Sequence, residues 1–238
     1  MTPSEIPNYI NMEQFLSLLQ FTDGLFPAGA YAHSFGLESC VDSGEVRDAV
    51  GVEAFLRAYL EGCTGPTDAV ALVCARRAAA NEDLASCLAL DEMLDAMKAP
   101  CELRDASRQM GRQTLRVATH LPCHPLLEEF GKAVAGEITP GHHSIVFGMI
   151  GGILQWDALE MTGAYLYSTS AALVGAALRL LPLGQLAGQN IVWNVRPLIA
   201  TLAENAQDKH EEDMWSFAPA LEIASMRHAL LDARLFRS

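Results

Sequence analysis

The sequence predicts an all-α fold, a single-domain bundle of about ten helices around one central apolar helix. Three observations predict it. Hydrophobic residues make up 50% of the 238-residue chain, which is enough for a sizeable core. Apolar side chains recur with a helical period along most of the chain, and no segment shows the strict alternation of a half-buried strand. Glycine and proline breakers fall at the intervals expected for short loops between helices.

The predicted helices can be placed in order along the chain. Apolar residues spaced i, i+3, i+4 and i+7 predict helices from Val52 to Cys63, from Leu90 to Met97 and from Leu103 to Val117. Similar patterns predict further helices over residues 12–20, 67–80, 125–135, 144–158, 163–181, 186–205 and 219–233. The expected loops lie at Gly65-Pro66, Pro122 to Pro125, Pro140-Gly141 and Pro182 to Gly184.

Residues 163–181 are apolar almost all round, which indicates the central helix of a bundle. They are rich in small residues, as is the glycine-containing stretch 148–152 before them. An interior glycine costs a helix roughly 0.5–1 kcal/mol relative to alanine, so we expect close helix packing to compensate. No repeat or low-complexity linker divides the chain. We therefore expect residues 1–238 to form one domain, with residues 1–11 as a flexible tail.

The composition excludes several functional classes. The formal net charge of −13 argues against nucleic-acid binding and against docking on anionic membranes, because both require clustered Lys and Arg. The six cysteines are scattered without a CxxC pair, so we interpret them as reduced and mostly buried. The N-terminal residues lack a signal-peptide pattern. We expect a cytoplasmic protein.

No catalytic motif stands out in the sequence. Gly131-Lys132-Ala133 lacks the upstream glycine and the hydroxyl residue of a phosphate-binding loop. Neither a GxSxG turn nor an HExxH helix is present. We expect no enzymatic activity and no cofactor, and any nucleotide chemistry would belong to a partner.

The candidate metal ligands are two short pairs, His142-His143 and Cys123-His124. Adjacent helical residues point about 100° apart, so two neighbouring histidines chelate poorly without further ligands. Following Pro140-Gly141, an imidazole can instead cap a helix or contact a partner. Thiolate and imidazole suit nickel or zinc, but two ligands do not close a site. A structural role and a nickel-carrier role both remain open.

Arg104, Arg108, Arg112 and Arg116 recur at every fourth position of one predicted helix. Successive members drift by about 40° around the axis and form a slanted basic stripe. The stripe is either a solvated face paired with nearby carboxylates or a docking strip for an acidic partner. An arginine that acts on a partner's phosphates is a third possibility.

The segment from Asp23 to Glu38 contains turn-forming residues, which are followed by polar side chains in an otherwise apolar stretch. Asp23 can cap the turn that follows it. His33 is either a satisfied interior histidine or part of an interface. Interfaces favour amphipathic residues, and the candidate partner-binding residues here are Tyr31, His33, Ser34 and Glu38.

The C-terminal residues form a second unusual segment, with arginines flanking Leu235-Phe236 and no acidic residue after Asp232. Apolar anchors beside arginines are typical of segments that order as they bind a groove. We predict a partner-binding tail over residues 227–238, and simple packing on the core is the alternative. Its candidate contact residues are Arg227, His228, Arg234, Leu235, Phe236 and Arg237.

Taken together, several segments resemble the UreF-type urease accessory proteins. The resemblance covers nearly the whole chain and is specific as a set. It is carried by LFPAGAYAHSFGLE (residues 25–38), ELRDASRQMGR (102–112), HSIVFG (143–148), LLPLGQ (180–185), EIASMRH (222–228) and RLFRS (234–238). One departure lies at residues 229–232, where family members commonly carry a more polar run.

The resemblance implies an all-α, homodimeric accessory protein that assists nickel insertion into urease. Family members bridge the UreD/UreH protein on apo-urease to the GTPase UreG, and they have also been viewed as regulators of that GTPase. The resemblance implies a partner-facing surface at Tyr31 and His33. It also implies partner contacts at Arg234, Leu235 and Phe236.

Overall fold

A computed structural model describes residues 11–121 and 123–238, and within these ranges the chain is helical with no strand, which confirms the predicted all-α bundle. The helices are α1 (Met12–Thr22), α2 (Leu37–Asp42), α3 (Ala49–Tyr59), α4 (Val70–Ala80), α5 (Leu84–Met97), α6 (Cys101–Ala118), α7 (Pro125–Ala135), α8 (His143–Ile153), α9 (Ala158–Leu180), α10 (Gln185–Ala206) and α11 (Pro219–His228). Short 3-10 helices lie at Ala30–Ala32 and Glu211–Asp213.

The N-terminal tail predicted for residues 1–11 lies outside the described residues except for Asn11. The Asn11 side chain caps α1 by accepting the N–H groups of Glu13 and Gln14 at 3.1 and 3.4 Å. None of the helices in the described ranges combines the length and hydropathy that a membrane span needs.

The loop predicted at Gly65-Pro66 is wrong, because the chain continues from α3 to α4 through a π-helix, Leu60–Ala69. The wider turn of a π-helix tolerates a proline that lacks the amide hydrogen. A Cβ at Gly65 would lie 2.7 Å from the Leu60 carbonyl oxygen, so only glycine fits. Gly65 and Pro66, residue types that normally end a helix, therefore lie inside a continuous helical segment.

The single helix predicted over residues 144–158 is wrong beyond Ile153, where α8 ends. Trp156 turns into the core and its indole N–H donates to the Ser17 hydroxyl at 2.7 Å. Asp157 then begins α9, its carboxylate accepting N–H groups of the first turn at 2.9 and 3.0 Å. The helix predicted over residues 219–233 likewise ends early, at the close of α11.

The core is built around α8 and α9. Helix α8 packs closely on α4, and a Cβ at Gly148 or Gly152 would overlap the α4 backbone. Helix α9, predicted to be the central helix, packs against α1, α2, α3, α4 and α10, but the shorter α8 is more completely buried. One face of α9 is open, since nothing described lies within 4 Å of a Cβ built on Gly163 or Gly175.

The six cysteines are free thiols in the described structure. Cys40, Cys74 and Cys87 are buried, as the composition predicts, and burial raises the pKa of Cys87 to about 12. Cys101 and Cys123 are exposed, which departs from that prediction.

Candidate functional site

The segment at residues 23–38 folds as a turn, a short 3-10 helix and the start of α2. Gly29 and Gly36 have φ of +87° and +88°, a left-handed conformation that favours glycine. A Cβ at Gly36 would lie 3.0 Å from the Ser225 amide nitrogen of α11. Glycine at this position thus satisfies both the backbone conformation and the close approach of α11.

The last residues of the chain are hydrogen-bonded to this turn. The Ser238 carbonyl oxygen accepts the Ser34 N–H at 2.5 Å, the Ser34 hydroxyl at 2.8 Å and the Phe35 N–H at 3.2 Å. The Arg237 N–H donates to the Ala32 carbonyl at 2.9 Å. Two segments that lie at opposite ends of the sequence therefore form one unit.

Glu38 also forms hydrogen bonds with the C-terminal residues. Its buried carboxylate accepts the N–H groups of Leu235 at 2.7 Å and of Phe236 at 3.1 Å. His228 Nε2 lies 2.8 Å from Glu38, and Nδ1 of the same buried ring lies 2.7 Å from the carboxylate of Glu102. The imidazole therefore hydrogen-bonds to α2, and it lies within ion-pair distance of α6 without the alignment of a hydrogen bond.

Arg179 of α9 completes the unit. Its guanidinium lies 3.7 Å from the centroid of the Tyr31 ring and 4.2 Å from that of the Phe236 ring, and it donates to the Tyr31 carbonyl at 2.7 Å. Cation–π contacts of this kind contribute about 0.5–2 kcal/mol each, depending on their exposure. No sequence motif predicted a role for Arg179. Its only sequence signal is a cation near the end of an apolar helix.

His33 is neutral at neutral pH in this setting. Burial, reinforced by the positive charge of Arg237, lowers the pKa of His33 to about 4. Its Nδ1 lies 2.8 Å from the Ser238 hydroxyl, with which it shares a hydrogen bond. The structure therefore gives His33 a structural role in holding the end of the chain.

The predicted partner-binding residues separate into a buried and an exposed set. The buried set positions the C-terminal segment and comprises His33, Ser34, Glu38, His228 and Phe236. The exposed set comprises Tyr31, Arg227, Arg234, Leu235 and Arg237. In this conformation a direct contact with a partner can come only from the exposed set, and that contact remains a prediction.

The arginine stripe on α6 also separates into two halves. Arg104 donates to a backbone carbonyl at 3.0 Å, and Arg108 forms a bidentate pair with Asp95, with both hydrogen bonds at 2.8 Å. Arg112 and Arg116 are exposed. Arg112 also donates to the Pro140 carbonyl at 3.2 Å, so the halves differ in exposure: Arg104 and Arg108 are half-buried, and a docking role for Arg112 and Arg116 remains a prediction.

His142, the first of the paired histidines, is fully buried. Its Nδ1 lies 3.0 Å from the Ser107 hydroxyl and its Nε2 lies 2.9 Å from the carboxylate of Asp95. Burial lowers the pKa of this imidazole. The backbone N–H of His142 donates to the buried Asp91 at 2.7 Å. Both ring nitrogens are therefore engaged within the fold.

The other candidate ligands do not converge on one point. His143 packs against the Tyr165 ring with centroids 5.4 Å apart, and burial lowers the pKa of His143 to about 4. His124 caps α7 by accepting the Leu126 N–H at 3.3 Å, and Cys123 is exposed beside it. Across residues 11–121 and 123–238, no group of three or more His, Cys, Asp and Glu side chains is arranged to hold a metal ion.

The chain is similar in sequence to known proteins over most of its length. The sequence model of the UreF family matches residues 46–196. Proteins named urease accessory protein UreF from Bacillus sp. (strain TB-90) and Actinobacillus pleuropneumoniae are 31% and 33% identical over 227 residues, which span 95% of this chain and 100% of each relative. The relative from Trichodesmium erythraeum is 31% identical over 229 residues, 95% of this chain and 97% of its own length. The chain belongs to the UreF family of urease accessory proteins.

Proposed function

We propose that this protein is a non-enzymatic adaptor in urease maturation. It joins the UreD/UreH-type protein on apo-urease to the UreG-type GTPase while nickel is inserted. The names of its relatives support a role as a urease accessory protein. The adaptor role is supported by one observation: Tyr31 and Leu235, far apart in sequence, belong to one bonded unit and are 75% and 61% exposed.

We call Tyr31, Arg234, Leu235 and Arg237 the composite surface. Aromatic and leucine anchors beside arginines are typical of protein interfaces. The bonds to Glu38 and Ser34 fix this surface before a partner arrives, which lowers the conformational entropy lost on binding. The composite surface carries two arginines, Arg234 and Arg237, in a chain whose net charge is −13. These arginines favour a partner that presents an acidic patch to this surface.

We further propose that the chain acts as one domain and as a homodimer in the cytoplasm. The open face of α9 supports a second copy, because Gly163 and Gly175 would let another helix approach closely. A mass measurement of the isolated protein tests the homodimer directly.

The adaptor role can be tested by co-expressing the chain with its UreD/UreH-type and UreG-type partners and measuring complex mass by light scattering. We expect Leu235→Asp to abolish the three-component complex while leaving the far-UV circular dichroism unchanged, because this side chain is exposed. Leu186→Asp is the matched control, since Leu186 is 75% exposed on α10. An intact complex with Leu235→Asp would remove the composite surface from the adaptor role.

Regulation of the GTPase is the second candidate function, favoured by the exposed Arg234 and Arg237 in the composite surface. Arginines that reach a partner's phosphates can stabilise the charge of phosphoryl transfer. The test is the rate of GTP hydrolysis by the UreG-type partner at saturating amounts of this chain. An unchanged rate excludes this candidate and leaves the adaptor role in place.

A further inference from the structure

A second exposed surface is formed by residues 214–218, the segment between the 3-10 helix Glu211–Asp213 and α11. Side chains alternate along this segment: Met214 and Ala218 are buried, whereas Trp215 and Phe217 are 52% and 74% exposed. Such alternation is typical of an extended segment with one face on the core. Large aromatic side chains are enriched where proteins bind one another. We call Trp215 and Phe217 the aromatic pair.

The backbone of the aromatic pair is bonded to the π-helix between α3 and α4. Pro66 has no N–H to donate to the Gly62 carbonyl, and the Phe217 N–H donates to that oxygen at 2.9 Å. The Trp215 N–H donates to the Pro66 carbonyl at 3.3 Å, and the Trp215 carbonyl accepts the Thr67 hydroxyl. A Cβ at Gly62 would lie 2.9 Å from the Phe217 carbonyl oxygen, so only glycine allows this close approach. These contacts fix the segment before a partner arrives, which lowers the conformational entropy lost on binding.

Carboxylates flank the aromatic pair on several sides. The 3-10 helix Glu211–Asp213, which directly precedes the segment, consists of three acidic residues. Glu61 is exposed beside Gly62, and the Glu222 carboxylate lies 3.5 Å from the Ser216 hydroxyl. We call Glu61, Glu211, Glu212, Asp213 and Glu222 the acidic rim.

The cations of the adjoining elements do not neutralise the acidic rim. Lys98 forms an ion pair with Asp68 at 2.8 Å, and its side chain is only 14% exposed. Lys209 Nζ lies 3.9 Å from Asp213, and the Arg77 guanidinium donates to the Lys209 carbonyl. Five carboxylates therefore outnumber the two remaining cations, and the aromatic pair lies in acidic surroundings.

We propose that the aromatic pair docks a basic segment of a partner protein, one that carries leucine-type side chains between lysines or arginines. The apolar side chains cover the two rings. The cations of the segment reach the acidic rim, and one of them can stack on the Trp215 ring. A second copy docked through the same surface fits poorly, because two acidic rims would face each other. An anionic membrane fits poorly because it too is negatively charged.

The proposal can be tested with the purified chain and two synthetic helical peptides, so the result does not depend on the adaptor role. Both peptides carry leucines at positions i, i+3, i+4 and i+7. One has lysines beside the leucines and the other has glutamates. We expect the lysine peptide to bind with a Kd below about 100 µM by fluorescence anisotropy, and the glutamate peptide not to bind at about 1 mM.

Serine substitutions test the aromatic pair itself. We expect Phe217→Ser and Trp215→Ser each to weaken the lysine peptide at least about tenfold, with unchanged far-UV circular dichroism because both side chains are exposed. Leu186→Ser is the matched control, since Leu186 is 75% exposed on α10, and it should leave the affinity unchanged. Equal affinities of the three variants would overturn the proposal.

Charge removal tests the acidic rim against attraction by the net charge of the chain. The double variant Glu61→Gln with Glu212→Gln should weaken the lysine peptide at least about threefold. Glu128→Gln with Glu129→Gln removes the same charge from exposed positions of α7 and should have no effect. Equal weakening by the two double variants would assign the binding to net charge alone and overturn the proposal.

Four further outcomes would also overturn it. Two are equal binding of both peptides and no binding of the lysine peptide at about 1 mM. A lower molecular mass for Phe217→Ser than for the unmodified chain would assign the aromatic pair to a contact between copies. Flotation with vesicles of phosphatidylserine and phosphatidylcholine that Phe217→Ser abolishes would assign it to a membrane.

Discussion

Glu38 determines whether the C-terminal residues stay docked, so Glu38→Gln should release them without unfolding the bundle. The carboxylate accepts two backbone N–H groups, from Leu235 and Phe236, and contacts His228. A hydrogen bond to a charged group contributes about 1.5–3 kcal/mol. The amide side chain keeps one acceptor oxygen and replaces the other with a donor that faces N–H groups. We therefore expect local opening to become easier by about 2–4 kcal/mol.

Amide hydrogen exchange measures this opening directly. A change of 2–4 kcal/mol corresponds to roughly 30- to 1,000-fold faster exchange at Leu235 and Phe236, while core amides of α8 keep their protection. Glu45→Gln is the matched control, because Glu45 is an exposed carboxylate 3.8 Å from Arg227. Equal exchange in Glu38→Gln and the unmodified chain would refute the reasoning that Glu38 holds this segment.

Three further predictions concern stability, each measured by urea unfolding. Gly148→Ala should cost about 1–3 kcal/mol because its Cβ overlaps the α4 backbone; an unchanged urea midpoint would contradict the packing argument. His33 and His143 have folded-state pKa values of about 4, below the unfolded value of about 6.5. The folded chain therefore binds fewer protons than the unfolded chain between these two pH values. The free energy of unfolding is highest above pH 6.5 and falls as the pH drops towards 4. We expect a loss of about 1–2 kcal/mol per histidine between pH 7 and pH 5, and His33→Gln should lose less than the unmodified chain over that range. Asp91→Asn should cost about 1–3 kcal/mol, because the buried carboxylate accepts two backbone N–H groups and one hydroxyl at 2.6–2.7 Å; an unchanged urea midpoint would show that this acceptor is dispensable.

The helical architecture was predictable from the sequence because helical periodicity is a local property. Most predicted helices occur close to their expected positions, although α8 and not α9 is the most completely buried. The failures have local physical causes. Gly65-Pro66 was accommodated by a π-helix, and the break after Ile153 depends on Trp156 reaching the distant Ser17.

Many residues of the site could be predicted from the sequence, but their spatial arrangement could not. Tyr31, His33 and Glu38 were recognised as unusual from their segment. The burial of His33 and Glu38 could not be known from it, because it depends on the C-terminal residues, including Ser238, 205 positions after His33. The same holds for the arginine stripe, where the pairing of Arg108 with Asp95 of α5 could not be read from the sequence.

The fold class, the lack of a recognisable catalytic motif and the family could be predicted from the sequence, because these depend on patterns within short segments. Which candidate residues are buried in the fold and which are exposed became known from the tertiary structure. That distinction depends on contacts between segments far apart in the chain. Burial and hydrogen bonding are properties of such contacts, and no local pattern encodes them.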